Sequence, residues 1–143
     1  MMTSLLSDQE QILHLLKGLS NQMSPKFERC TGISSSRYEL LHHLFQVEEV
    51  NQSNLQKAVN IDSAAITRHL KQLESDGMVV RNKIPSDHRV TLVRLTEEGR
   101  KRIVGYKTEK ATFVANMLQD FSKEELNRLA DMLSRMQNNI SEL

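Results

Sequence analysis

The strongest constraint on this chain lies in residues 51–99, where a short polar-faced helix runs directly into a charged β-hairpin. Between Asp62 and Asp76 the large apolar residues fall at Ile66, Leu70 and Leu73. Steps of four and three place them on one helical stripe. The opposite face carries Ser63, Ala64, Thr67, Arg68, Lys71 and Gln72, small or hydrogen-bonding groups and two cations, with no carboxylate. Such a face suits a groove lined by phosphates and base edges. Asp62 is placed to cap the helix, because its carboxylate accepts from the orphan amides of the first turn. Gly77 follows the last periodic residue and can take the left-handed conformation that ends a helix. A shorter helix is predicted over 53–59, with Leu55, Ala58 and Val59 inward, joined through Asn60-Ile61-Asp62. Two helices joined by a short turn, the second with a polar face, make a helix-turn-helix.

The hairpin follows. Residues 78–83 and 90–95 are rich in β-branched side chains, and 84–89 holds Pro85, Ser86 and Asp87, which favour turns. The pattern predicts a two-stranded wing. Asp87 stands two residues before Arg89 and can brace its guanidinium. A braced arginine at a wing tip suits a minor groove, where the negative potential is strongest. The other reading of this pair is a solvated surface ion pair worth under about 1 kcal/mol.

Leu73-Glu74, Gly77-Met78-Val79, Arg81, Pro85, Asp87, Arg89, Val93, Leu95-Thr96 and Gly99 together resemble the signature of MarR-type winged helix-turn-helix regulators. The likeness extends more weakly over nearly the whole chain. It implies a mostly α fold with a small winged-helix sheet (α+β), organised as one domain. In that domain a DNA-binding lobe spans about 34–95, and dimerisation helices span about 5–29 and 96–143. It implies a homodimer on a pseudo-palindromic double-stranded DNA operator, acting as a transcriptional regulator, most commonly a repressor released by a small aromatic or anionic effector. It also implies a recognition helix in the major groove and the wing in the minor groove. Ser63 and Thr67 would meet bases or phosphates, Ala64 a thymine methyl, Arg68 a guanine and Lys71 a phosphate, with Gln72 beside them. Arg89 would enter the minor groove, positioned by Asp87.

Charge supports this only locally. The chain is net +1, but residues 63–95 hold six cations against three anions. The basic footprint is therefore confined to the helix and wing. The 38% hydrophobic content includes no apolar run near the ~20 residues needed to cross a membrane. The start of the chain has no signal-like segment. One cysteine excludes an internal disulfide and fits a reducing cytoplasm.

The flanking segments read as amphipathic helices. The first, about 5–29, lines up Leu5, Ile12, Leu15, Leu16, Leu19, Met23 and Phe27, and Pro25 should bend it or end it near Ser24. The second, about 35–47, turns Leu40, Leu41, Leu44 and Phe45 inward; Ser34, Ser35 or Ser36 caps it. Ser35, Ser36 and Arg37 at its start can hold a DNA phosphate, or be a plain cap beside an exposed arginine. Thr96 opens a long helix reaching about Gln119, with Ile103, Tyr106, Phe113, Val114, Met117 and Leu118 on one face. Ser122-Lys123-Glu124-Glu125 is a capping box before a last helix striped by Leu126, Leu129, Met132, Leu133, Met136, Ile140 and Leu143. One winged helix cannot cover all these stripes. Pairing with a second copy covers them, as would an intrachain bundle in a monomer.

No catalytic constellation, metal-dependent motif or glycine-rich phosphate loop occurs, so no enzyme, metal or cofactor is expected. Glu39, His42 and His43 have helical ligand spacing, with Cys30 upstream. However, the zinc-sensing branch of the resembled family uses a histidine pair after the wing, and no histidine follows His88. Cys30 is either a buried inert thiol or a redox sensor beside Arg29. The family's oxidant-sensing cysteine sits nearer the chain start. An effector crevice would draw on Phe27, Arg29, Tyr38, His42 and Met78, although core packing explains the aromatic residues as well. The rival from another class is a dimeric protein-interaction module that keeps the fold without binding DNA.

Overall fold

The computed structural model describes residues 2–143, with side chains from Ser7 onward. Leu5 of the expected first stripe lies outside the described side chains. Six helices and three strands follow one another: α1 (Met2–Thr31), α2 (Ser35–Phe45), β1 (Val50–Asn51), α3 (Gln52–Val59), α4 (Ser63–Ser75), β2 (Val79–Ile84), β3 (Asp87–Leu95), α5 (Glu97–Met117) and α6 (Lys123–Ser141). The chain is mostly α with one small antiparallel sheet of order β1-β3-β2. It divides into two compact units, one up to Lys110 and one from Ala111 to Leu143.

The core of the first unit is built from the predicted stripes. Leu40, Leu41 and Leu44 of α2, Leu55 of α3, and Ile66, Leu70 and Leu73 of α4 are fully buried, as are Val93 of β3 and Ile103 of α5. Burying each such side chain stabilises the fold by about 1.5–3 kcal/mol. Three expected inward residues of α2 and α3 are not in this core: Ala58 is exposed, and Phe45 and Val59 are half-buried. Of the three residues expected inward on α3, only Leu55 is fully buried; Ala58 offers one methyl and gains least from burial.

The capping predictions hold with one choice resolved. Ser34, rather than Ser35 or Ser36, caps α2, its hydroxyl accepting from Arg37 N at 3.3 Å. Asn51 caps α3, and Asp62 caps α4 by accepting from Ala65 N at 2.8 Å. In the second unit the capping box is complete: Glu125 N donates to Ser122 Oγ at 3.1 Å and Ser122 N to Glu125 Oε1 at 2.8 Å. No side chain of α6 is buried.

Three expectations need correction. Proline does not end α1, which continues through Pro25 to Thr31. The missing amide costs one hydrogen bond. Beyond it the helix is anchored by buried Phe27 and by Thr31, whose hydroxyl donates to Phe27 O at 2.8 Å. The two-stranded wing forms as β2 and β3, but its sheet gains an unexpected third strand, because Val50 and Asn51 pair with Val93 and Leu92. Two residues carry no readable periodicity, so β1 exists only through this long-range pairing. The wing tip is also tighter than expected, with strands running to Ile84 and from Asp87 and a bulge between Lys83 and Ile84.

The quoted signature residues prove to be joints. Gly77 has φ +76, a left-handed turn between α4 and β2. Thr96 Oγ1 donates to Gly77 O at 2.6 Å and accepts from Gly99 N at 3.0 Å, while Thr96 N donates to Met78 O at 3.0 Å. One threonine thus caps α5 and ties it to the end of α4. Gly99 is required because a Cβ there would collide with the Met78 carbonyl. Glu74 and Arg81 pair at 3.1 Å across the α4–β2 turn.

Candidate nucleic-acid interface

The outer face of α4 carries the predicted set. Ser63, Ala64, Arg68, Lys71 and Gln72 are exposed and Thr67 is half-buried. Ala64, Thr67, Arg68, Lys71 and Gln72 line one shallow depression of about 410 Å³. Two polar groups there are already engaged. Gln72 Nε2 donates to Asp76 Oδ1 at 3.1 Å. Thr67 Oγ1 donates to Ser63 O at 2.9 Å and accepts from Gln52 Nε2 at 3.3 Å. A hydroxyl has one proton and two lone pairs. Thr67 therefore offers a base its methyl and one lone pair, while its proton is held within the helix. Gln52 was not identified by sequence reasoning. It lies on α3, and nothing in the periodicity of either helix reports which side chains meet across the turn.

On the wing, Asp87 Oδ1 accepts from both Arg89 N and Arg89 Nε at 3.1 Å. The brace read from the two-residue spacing is formed. The Arg89 side chain is 91% exposed, so the pair contributes under about 1 kcal/mol of stability. Its consequence is orientation: Asp87 holds Nε and leaves the two terminal NH₂ groups of an exposed guanidinium for another acceptor. Arg89, Val90 and Thr91 form one wall of a polar cleft of about 270 Å³, and Asn51, Gln52, Ser53, Asn54 and Gln56 form the other. No acidic side chain lines it.

At the start of α2, Ser35 and Ser36 are exposed and Arg37 is half-buried. Arg37 does not simply project into solvent. Its Nε donates to Nδ1 of His69 on α4 at 3.4 Å. Burial pushes the His69 imidazole below its ordinary pKa; Arg37 and Arg68 add to this and Asp62 opposes it. His69 is thus neutral near pH 7. Sequence reasoning gave it no role, because its partner lies 32 residues away on another helix.

The residues expected to line an effector crevice are only partly brought together. Phe27 and Tyr38 meet edge to face with centroids 6.0 Å apart, and Tyr38 stacks on His42 at 5.9 Å. Burial, then Glu39, pushes the Tyr38 phenol above its ordinary range, so it stays protonated near pH 7. Lys110 Nζ lies 4.7 Å from the Tyr38 ring centre, and Lys107 Nζ lies 4.4 Å from that of Phe45. Lys110 thus gives Tyr38 a cationic flank that the sequence pattern did not reveal, and Lys107 does the same for Phe45. Arg29 is exposed on α1, and Met78 is buried where its carbonyl receives Thr96 N. His42 and His43 are half-buried on α2. Cys30 is exposed, contrary to the buried alternative; it follows Phe27 by three residues on α1, but only Phe27 turns into the core. Among the described residues no group of three His, Cys, Asp or Glu side chains is placed to hold a metal ion, and no helix is long and apolar enough to cross a membrane.

Comparison with known proteins agrees with this fold. The model of the MarR family matches residues 33–91, from the loop before α2 into β3. A Bacillus subtilis protein described as the uncharacterized HTH-type transcriptional regulator YdgJ is 54% identical over 142 residues, covering 99% of this chain and 87% of its own. The crystal structure of the PcaV transcriptional regulator from Streptomyces coelicolor superposes with a TM-score of 0.84 at 21% identity, covering 91% of this chain and 97% of that one. PcaV has also been solved in complex with its natural ligand, at a TM-score of 0.77 and 21% identity over 87% of this chain and 90% of that one. A cysteine-to-serine mutant of MarR from E. coli, solved with operator DNA, superposes with a TM-score of 0.77 at 20% identity, covering 92% of this chain and 97% of that one. At such identities the solved structures speak for the fold, while the YdgJ likeness and the family model speak for kinship. The chain belongs to the MarR family of winged helix-turn-helix transcriptional regulators, which are DNA-binding proteins and not enzymes.

Proposed function

We propose that this regulator works in the cytoplasm as a homodimeric repressor of a pseudo-palindromic operator, and that a small aromatic or anionic molecule releases it. The observation that carries the reading is the pairing of two features on one lobe. One is a carboxylate-free depression on α4 lined by Ala64, Thr67, Arg68, Lys71 and Gln72; the other is an outward arginine braced at the wing tip. Arg68 is assigned to guanine and Lys71 to phosphate, Ala64 to a thymine methyl, and Arg89 to the minor groove. Ser63, Ser35, Ser36 and Arg37 meet the backbone. The lobe of about 34–95 reads DNA, and the helices of about 5–29 and 96–143 pair the two copies. Support for pairing is the exposed apolar surface of α1, at Ile12, Leu15, Leu19 and Met23, and of α6, at Met132, Leu133 and Ile140. Two copies present two recognition helices to half-sites about one helical turn apart. The effector reading is supported by Phe27, Tyr38 and His42 with Lys110 beside Tyr38, and by the solved PcaV structure that carries a ligand.

The test is recovery of bound fragments from genomic DNA, followed by a salt titration on the recovered duplex. A DNA binder loses affinity steeply as salt rises. Arg89→Ala is expected to weaken binding by about 1–3 kcal/mol while the protein still sediments as a dimer. Unchanged affinity at matched salt removes Arg89 from the interface. A protein-only module shows no duplex binding at any salt. The exposure of Cys30 favours a second reading, release by oxidation. If peroxide affects operator binding by wild type and Cys30→Ser equally, the thiol has no part in it.

A further inference from the structure

His69 has a partner but, so far, no task. It sits half-buried on α4 between the DNA-facing side chains and the start of α2. Because its Nδ1 accepts from Arg37 Nε, its ring proton resides on Nε2. The Arg37 guanidinium is thereby anchored by one N–H. Its two terminal NH₂ groups, with four donors in a planar fork, remain for an acceptor outside the fold. Such a fork matches a phosphate.

We propose that His69 is a positioning residue for DNA: while neutral, it aims the Arg37 guanidinium at a backbone phosphate. The proposal rests on the reading that the start of α2 meets the DNA backbone, and it adds the device that holds Arg37 in place and the condition under which it lets go. Protonation places an N–H at Nδ1, pointing at the N–H of Arg37, and adds a cation beside two others. The charged groups acting on His69 are Arg37 from α2, Arg68 on its own helix and Asp62 at the helix cap. Helix α3 meets α4 through neutral Gln52, and β2 brings Arg81, which is tied to Glu74 farther along α4. Asp62 alone favours the imidazolium. The state that holds Arg37 lacks the proton, so the affinity that Arg37 supplies is present above the lowered pKa of His69 and is lost as the pH falls through it.

The experiment uses the full-length protein and a duplex that the wild type retains from a random-sequence pool. Affinity is measured against salt and pH for wild type, Arg37→Gln, His69→Leu and His69→Asn. The Asn carboxamide oxygen stands where Nδ1 stood and does not titrate. Arg37→Gln and His69→Leu are each expected to weaken binding about tenfold at about pH 7.5 and to lower the salt slope by about one per protomer. His69→Asn is expected to bind within about threefold of wild type. As the pH is lowered from about 7.5, wild type should lose several-fold in affinity relative to His69→Asn, a comparison that cancels every other titrating group. Full affinity and slope in His69→Leu overturn the proposal, as does wild type tightening relative to His69→Asn in acid. If His69→Leu does not fold, the pH ratio and Arg37→Gln still decide. If wild type itself retains no duplex at low salt, the DNA reading fails first; if wild type binds and only these comparisons fail, the loss is confined to the His69 device.

Discussion

Leu70 on α4 and Leu133 on α6 belong to stripes of the same helical period, yet one is 0% and the other 43% exposed. Around α4 the apolar residues of α2, α3, β3 and α5 close on one another. Along α6 Met132 and Leu133 stay exposed and Ile140 is 69% exposed, although the helix is well capped. Amphipathic pattern alone therefore does not report burial; it reports a demand for burial that some other surface must meet. The winged helix meets its own demand within one chain. The demand left on α6 and α1 is what the proposed second copy would satisfy.

The comparison can be tested from its strongest point. Leu70→Ala should cost about 2–5 kcal/mol of stability, read from urea unfolding, because the surrounding core cannot close the cavity. A cost below about 1 kcal/mol would mean that the lobe is less tightly closed than it is here. Replacing Met132 and Leu133 together by glutamate should leave the lobe folded but weaken self-association at least a hundredfold, or about 3 kcal/mol. Sedimentation that stays unchanged would show that α6 does not bear the interface. Ser122→Ala removes half of the capping box and should destabilise α6 by about 1 kcal/mol, seen as a lower thermal midpoint. A larger loss would mean that the two regions unfold together. The smallest expected effect is on the DNA face. Thr67→Val keeps the shape and discards a hydroxyl already bonded to Ser63 O and Gln52, so affinity should change by less than about 0.5 kcal/mol. A loss of about 1–3 kcal/mol would show that the hydroxyl turns to a base in the complex.

The exposed Cys30 and the continuous α1 show where local reasoning went astray. Proline inside a helix removes one amide, and the sequence suggested either a bend there or an end near Ser24; the helix does not end. The contacts of Phe27 and Thr31 that hold the helix beyond it come from its packing and from the turn at Gly32. For Cys30 the buried alternative, natural because cysteine is often inside, fails because a helix end buries only the residues that face its neighbour.

What the residues determined unaided was everything written in short-range periodicity and capping chemistry. That includes the stripe Ile66–Leu70–Leu73, the Asp62 cap, the left-handed Gly77, the Ser122–Glu125 box and the Asp87–Arg89 brace, each involving partners within a few positions. Tertiary structure alone decided the pairing of β1 with β3, the lock of Gln52 on Thr67, the bond between Arg37 and His69, and the lysines of α5 against Tyr38 and Phe45. Those partners are 15 to 72 residues apart. Spacing along a chain says which face a side chain is on; only the folded packing says what that face meets.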